Sequence, residues 1–225
     1  MCEDGLVIKL RTPTRLAATV AAVGCAVAPV AVAPAASAEA CNDVQVVFAR
    51  GTSEPPGIGR VGQALVDSLT PLIGGKTIGS YGVDYPATYD FLTAADGAND
   101  ATGYISSLAA QCPNTRIVLG GYSQGAAVVD MLAGIPPLGN KIGEIGSAPP
   151  LPAGLDPHVA AVAVFGNPST KFSIPITNST FAGRAIDLCA DGDPICSRGR
   201  NPFAHTHYET SEFIPQAAGF VAGLV

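Results

Sequence analysis

The chain has 225 residues, 48% of them hydrophobic and only 13% charged, so it can build a core and lacks the composition of a disordered segment. Its formal net charge is −6 and it has no run of Lys or Arg, which excludes the clustered cations that a nucleic acid partner needs.

Lys9, Arg11 and Arg15 precede an uncharged Ala/Val-rich run from Leu16 to Ala36, which ends on Ala36-Ser37-Ala38. A positive flank, an apolar stretch and a small-residue cleavage pattern predict a signal peptide over residues 1–38 and one domain over residues 39–225. A transmembrane helix is the competing reading, but Pro29 and Pro34 interrupt the run. Lipid attachment at Cys25 is a minor variant, weakened by Ala22 three residues before it. The expectation is a secreted, extracellular protein, released or kept at the cell wall, with no transmembrane segment after cleavage.

Beyond the leader, short apolar runs alternate with longer helix-like segments. Val44–Arg50, Ile78–Tyr85, Arg116–Tyr122, Val159–Gly166 and Ala185–Cys189 read as buried strands. Val61–Leu72, Asp90–Gln111, Gly125–Ala133 and Ser211–Val225 read as helices. Strand and helix in steady alternation predict an α/β fold, a parallel five-stranded sheet with helices on both faces. Cleavage leaves Cys41, Cys112, Cys189 and Cys196, an even number that in an exported chain reads as two disulfides. Of the three pairings, Cys41–Cys112 with Cys189–Cys196 is favoured. The first closes a long loop, worth about 4 kcal/mol on the chain-entropy account, and the second fixes a short loop locally. Zinc is the other use of cysteine, but C-x-x-C is absent and there are only three histidines, so no metal is expected. Asn178-Ser179-Thr180 is a glycosylation sequon, relevant only in a host that modifies such sites.

Gly121-Tyr122-Ser123-Gln124-Gly125 fits G-x-S-x-G and lies where the strand RIVLGGY meets a helix. At such a corner the glycines allow backbone approach that a Cβ would block, and the serine is presented as a nucleophile. A serine hydroxyl needs a base, and the base an orienting carboxylate, in the chain order Ser, acid, His. His158 comes too early, which leaves His205 and His207. Asp130 lies on the helix after the serine and Asp187 within a strand. Asp191 and Asp193 follow the last strand, where the active-site loops of open α/β sheets gather. Spacing alone does not choose between these two.

Four motifs together resemble the cutinases and cutinase-like secreted esterases. They are Phe48-Ala49-Arg50-Gly51-Thr52-Ser53-Glu54, Gly121-Tyr122-Ser123-Gln124-Gly125, Cys189-x-x-x-Asp193-x-x-Cys196 and His205-x-x-Tyr208. The resemblance covers nearly all of the chain from Cys41 onward. It implies a lidless α/β-hydrolase, a three-layer α/β/α sandwich, with the Cys41–Cys112 bridge and no cofactor. It also implies Ser123 as nucleophile, Asp193 as acid and His205 as base, with His207 a plain loop residue. The oxyanion hole would come from Thr52, through its backbone N–H and hydroxyl, and from the backbone N–H of Gln124.

The implied reaction is hydrolysis of carboxylic esters through an acyl-enzyme. The stretch between Gly166 and Ala185 is too short for an inserted lid domain, so the serine should be uncovered. That suits short or medium acyl esters, cutin-like polyesters, or lipids presented at a surface. Tyr89, Pro194, Ile195 and Phe203 are candidates for gripping the acyl chain. Acetylated polysaccharide or phospholipid as substrate of the same triad, and a catalytically silent envelope protein, are the alternatives.

Overall fold

The structure is a computed structural model that describes residues 41–139 and 145–225. The expected leader, its cleavage site and Cys25 lie outside the described residues. Strand β1 (Val44–Ala49) is buried at every position, as a central parallel strand covered on both faces must be. It is flanked by β2 (Ile78–Gly82) and β3 (Arg116–Tyr122), and the sheet continues through β4 (Val159–Phe165) to β5 (Ala185–Leu188). The spatial order is β2-β1-β3-β4-β5, and every pairing is parallel.

Among the described residues the α-helices are α1 (Gly59–Leu69), α2 (Ala94–Gln111), α3 (Gln124–Leu132), the short α4 (Pro202–His205) and α5 (Phe213–Ala222). Alternation along the strands builds two cores. Val47, Ala49, Leu119 and Val162 face α2 and α3, whereas Val46, Phe48, Val118 and Phe165 face α1 and α5. Helix α2 buries Ala94, Gly97, Ala98, Ala101 and Ile105, the spacing of a single helical stripe. The cysteines pair as Cys41–Cys112 and Cys189–Cys196, with Cα–Cα distances of 5.6 and 5.8 Å.

Boundaries moved where side chains compete with the backbone. The second strand stops at Gly82 rather than Tyr85. The buried Arg50 guanidinium donates to the carbonyls of Val83 and Tyr85, and Asp100 takes the Asp84 N–H, so these groups leave the ladder. Helix α1 gives way after Leu69 to a 3-10 turn at Thr70–Leu72 that holds Pro71, and α2 is preceded by a 3-10 turn at Phe91–Thr93. Residues 167–184 form two 3-10 turns, Pro168–Phe172 and Ile176–Asn178, pinned by buried Ile176 and Phe181. Helix α4 lies outside the four helices the sequence predicts. Its signal is Asn201-Pro202: the Asn201 side chain accepts from the Phe203 N–H at 3.1 Å, and proline suits the first helical turn.

Candidate active site

Chain order reverses at β1. The strand runs to β2 on one side and β3 is laid on the other, so the carboxyl ends of β1 and β3 open a crevice where α/β sheets bind ligands. Thr52 follows β1 at this crevice and Ser123 follows β3. Ser123 has φ 57° and ψ −117°, a backbone conformation that costs a non-glycine residue about 1–3 kcal/mol. Tertiary contacts hold it there. Its N–H donates to the Phe165 carbonyl at 2.9 Å, and α3 starts at the next residue. A Cβ on Gly125 would lie 1.9 Å from the Ala49 oxygen, and one on Gly121 would lie 2.2 Å from the Gly125 oxygen. Only glycine lets the chain turn this tightly.

His205, on α4, stands between the serine and a carboxylate. Its Nε2 is 2.8 Å from Ser123 Oγ and its Nδ1 is 2.7 Å from Asp193 Oδ2. The ring lies against Gly166, which has φ 57° and where a Cβ would come within 2.8 Å of His205 Cε1. The Tyr122 hydroxyl donates to the His205 carbonyl, and burial pushes the Tyr122 pKa up to about 12, so it remains a donor.

Asp193 is fully buried and lies inside the Cys189–Cys196 loop. Besides His205 it accepts from the Ile195 N–H at 2.7 Å and from the Tyr208 hydroxyl at 2.8 Å. Burial by itself would raise its pKa. The His205, Ile195 and Tyr208 hydrogen bonds outweigh it and hold the carboxyl below its ordinary value. Tyr208 accepts in turn from the Ala190 N–H at 2.8 Å, and burial pushes its phenol pKa well up, so it stays a neutral donor.

The rival candidates stand elsewhere. Asp191 is exposed on the rim. His207 is exposed, and its Nδ1 lies 2.8 Å from the Phe203 carbonyl of its own turn. Asp187 is a cross-link that accepts from Asn167, Thr170 and the Ile176 N–H. Asp130 is fully buried on α3 and accepts from Asn167 at 3.0 Å. Burial raises both carboxyls.

A cleft of about 420 Å³ opens over Ser123, with Thr52, Gln124 and His205 in its wall. Thr52 N–H has no hydrogen-bond partner among the described residues. The Gln124 N–H opens α3, where first-turn donors lack intrahelical partners. Both are therefore available to an anion. Arg50 braces the first of them. Its guanidinium donates to three carbonyls, those of Glu54, Val83 and Tyr85, and lies over the Tyr85 ring.

Of the four candidates for gripping an acyl chain, Tyr89 and Ile195 line the cleft, and Pro194 and Phe203 do not. The Pro194 carbonyl is tied outward to Lys171, and Phe203 stands 72% exposed on the first turn of α4. The apolar wall is completed by Phe91, Leu138, Ile145 and Pro168, which sequence reasoning missed. Long-range folding brings them in, and no local pattern marks them. Tyr208 was legible as a motif residue, but its bond to Asp193 was not.

The cutinase family model matches residues 40–225. The chain belongs to the cutinase family. It is 50% identical over 217 residues to Phospholipase Culp4 of Mycobacterium tuberculosis, covering 96% of this chain and 92% of that one. It is 45% identical to Carboxylesterase Culp1 of the same species, covering 84% of each. Among solved structures, Trichoderma reesei cutinase in complex with a phosphonate inhibitor superposes with a TM-score of 0.62 at 35% identity, over 82% of this chain and 77% of that one. This cutinase-family chain is a carboxylic-ester hydrolase with an α/β-hydrolase fold.

Proposed function

We propose that this ester hydrolase works through a Ser123–His205–Asp193 triad and an acyl-enzyme. The observation that carries the proposal is the position of His205, within hydrogen-bond reach of Ser123 Oγ on one nitrogen and Asp193 on the other. His205 takes the serine proton as Oγ attacks the ester carbonyl, and Asp193 keeps the imidazole in the tautomer that can accept it. The N–H groups of Thr52 and Gln124 receive the oxyanion, the alcohol leaves with the proton from His205, and water repeats the sequence on the acyl-enzyme.

The substrate is a short or medium acyl ester, or a lipid offered at a surface. Support comes from the mainly apolar cleft wall and from Tyr89, Phe91 and Ile195, which are 78%, 41% and 36% exposed beside the serine. Phospholipid is the second reading, favoured by the relative named as a phospholipase and by Arg60, a cation in the cleft wall. Export through the segment over residues 1–38 completes the proposal. The two disulfides support it, since such bonds persist in oxidising compartments.

Intact-mass measurement after treatment with an organophosphonate tests the nucleophile. Wild type should gain one adduct and Ser123→Ala none; an unlabelled wild type ends the enzyme reading. His205→Ala should abolish turnover and His207→Ala should keep most of it. Along a p-nitrophenyl ester series from acetate to palmitate, kcat/KM should climb about fourfold per added CH2, the worth of about 0.8 kcal/mol of burial, until the cleft is full. Parallel assays on phospholipid vesicles and xylan acetate rank the remaining substrates.

A further inference from the structure

Beside the cleft over Ser123 lies a second cavity of about 600 Å³, the size of an ordinary small-molecule site. The two share a wall, Thr52 and Arg60, and differ in what lines them beyond it. The cleft is mainly aromatic and aliphatic, whereas the second cavity adds Ser53, Glu54 and Gln63. The loop that carries it is preformed. Pro55 and Pro56 fix their own φ, Ser53 donates its N–H to the Ala87 carbonyl at 2.6 Å, and Glu54 accepts from the Gly51 N–H at 2.6 Å. Arg60 stands at the seam of the two cavities with its side chain about half exposed.

The cation on this wall is already met. Arg60 Nε lies 3.4 Å from Glu54 Oε1 and 3.7 Å from Glu209 Oε2, and Asp67 holds the Gln63 amide at 2.8 Å. One guanidinium therefore stands among three carboxylates, and a phosphate placed here would be set against Glu54. Hydroxyl groups suit the cavity better, because each both donates and accepts. Glu54 accepts, Arg60 donates, and Ser53 and Gln63 do both. Which part of an ester arrives here follows from the side on which Arg60 stands. The leaving oxygen must face His205 Nε2 to take its proton. Arg60 borders the Tyr122 hydroxyl, which donates to the His205 carbonyl, and Glu209, the neighbour of Tyr208. The apolar cleft wall already accounts for the acyl chain. We propose that the second cavity is the subsite for the alcohol half of the substrate and takes an uncharged, hydroxyl-rich alcohol such as a sugar. The substrate is then a fatty acyl ester of a polyol, with its chain in the apolar cleft and its hydroxyls among Glu54, Arg60 and Gln63. Arg60 is a specificity residue on the seam rather than a phosphate anchor.

The inference rests on the ester-hydrolase reading above, and esters that share one acyl chain test it. kcat/KM is measured on ethyl octanoate, octanoylglucose, octanoylglycerol phosphate and p-nitrophenyl octanoate, each below its micellar concentration. Wild type should prefer octanoylglucose to ethyl octanoate about tenfold, the worth of one charge-assisted hydrogen bond, and should cleave the phosphate ester more slowly than the glucose ester. Arg60→Met keeps the apolar stem and loses the donors, so the preference for octanoylglucose over ethyl octanoate should fall about tenfold. Gln63→Trp, at an exposed position of α1, fills the cavity and should abolish the same preference. A ratio of two substrates on one variant cancels any shared loss of triad activity. Thermal midpoints verify folding, and loss of fold at one position leaves the variant at the other to decide. A wild type without the glucose preference, or a folded variant that keeps it, overturns the subsite while turnover of p-nitrophenyl octanoate still reports an ester hydrolase. A wild type that prefers the phosphate ester overturns it in favour of an anion site. A wild type that neither cleaves p-nitrophenyl octanoate nor labels with the organophosphonate takes down the ester-hydrolase reading as well.

Discussion

The two halves of the candidate site are held by different forces. The serine corner is held by backbone sterics. Ser123 sits between the buried strand β3 and helix α3, and Gly125 is pressed against the end of β1. The half that holds Asp193 and His205 has little regular structure. Asp193 and His205 lie on a disulfide-closed loop and a four-residue helix, positioned by Tyr208, the Ile195 N–H and the Tyr122 hydroxyl. Close-packed backbone has nowhere to move, so small changes at the corner should break the fold. A hydrogen-bonded loop gives by degrees, so changes there should first affect rate and pH response.

Gly125→Ala is the strongest test of that contrast. The new methyl meets backbone oxygen rather than a movable side chain, so the variant should lose about 3 kcal/mol or more, or fail to fold, as followed by chemical denaturation. Removing the Cys189–Cys196 bridge as a double serine variant should cost about 2–3 kcal/mol on the loop-entropy account. Its kcat should fall further than its thermal midpoint suggests, because Asp193 is inside the loop. If stability falls and kcat per folded molecule does not, the loop needs no clamp.

Tyr208→Phe is gentler and removes one donor to Asp193, a loss of about 1 kcal/mol. Asp193 has a lowered folded-state pKa, so its stabilising contribution is present above the unfolded carboxylate pKa and is lost as pH falls through the folded value. Weakening that depression should move the acid unfolding midpoint of Tyr208→Phe to higher pH. A midpoint unchanged or moved to lower pH would show that Tyr208 packs without acting on the acid.

Asp130→Asn should have the smallest effect, and with the opposite pH sign. Burial raises the Asp130 carboxyl well above its ordinary value despite the Asn167 bond. Its contribution is therefore fully present below the unfolded carboxylate pKa and is lost as pH rises through the folded value. The asparagine variant should lie within about 1 kcal/mol of wild type at neutral pH and lose less stability on going alkaline. Thermal midpoints measured across pH check both variants in one experiment.

Each half was legible to a different degree. G-x-S-x-G placed the corner because its requirement is local: two glycines, a strand before and a helix after. The same logic located β1, β3 and β4, whose apolar runs are buried throughout the sheet interior. The acid was harder. Asp191 and Asp193 are two residues apart in one loop, and only the family motif separated them. The structure exposes Asp191 and buries Asp193 under Tyr208. The cleft wall was least legible, since Phe91, Leu138, Ile145 and Pro168 come from separate segments with no shared pattern.

By itself, the sequence determined the alternation of strands and helices, the serine corner, the four cysteines and the two histidines that could serve it. These depend on periodicity, backbone conformation and residue type, which neighbours along the chain express. Tertiary structure alone decided how Asp193 is buried and hydrogen-bonded against His205, which side chains wall the cleft, and that the Gln124 amide meets the Thr52 hydroxyl. Those choices rest on desolvation and hydrogen-bond geometry between residues as many as 83 positions apart, and they exist only once the sheet has brought the segments together.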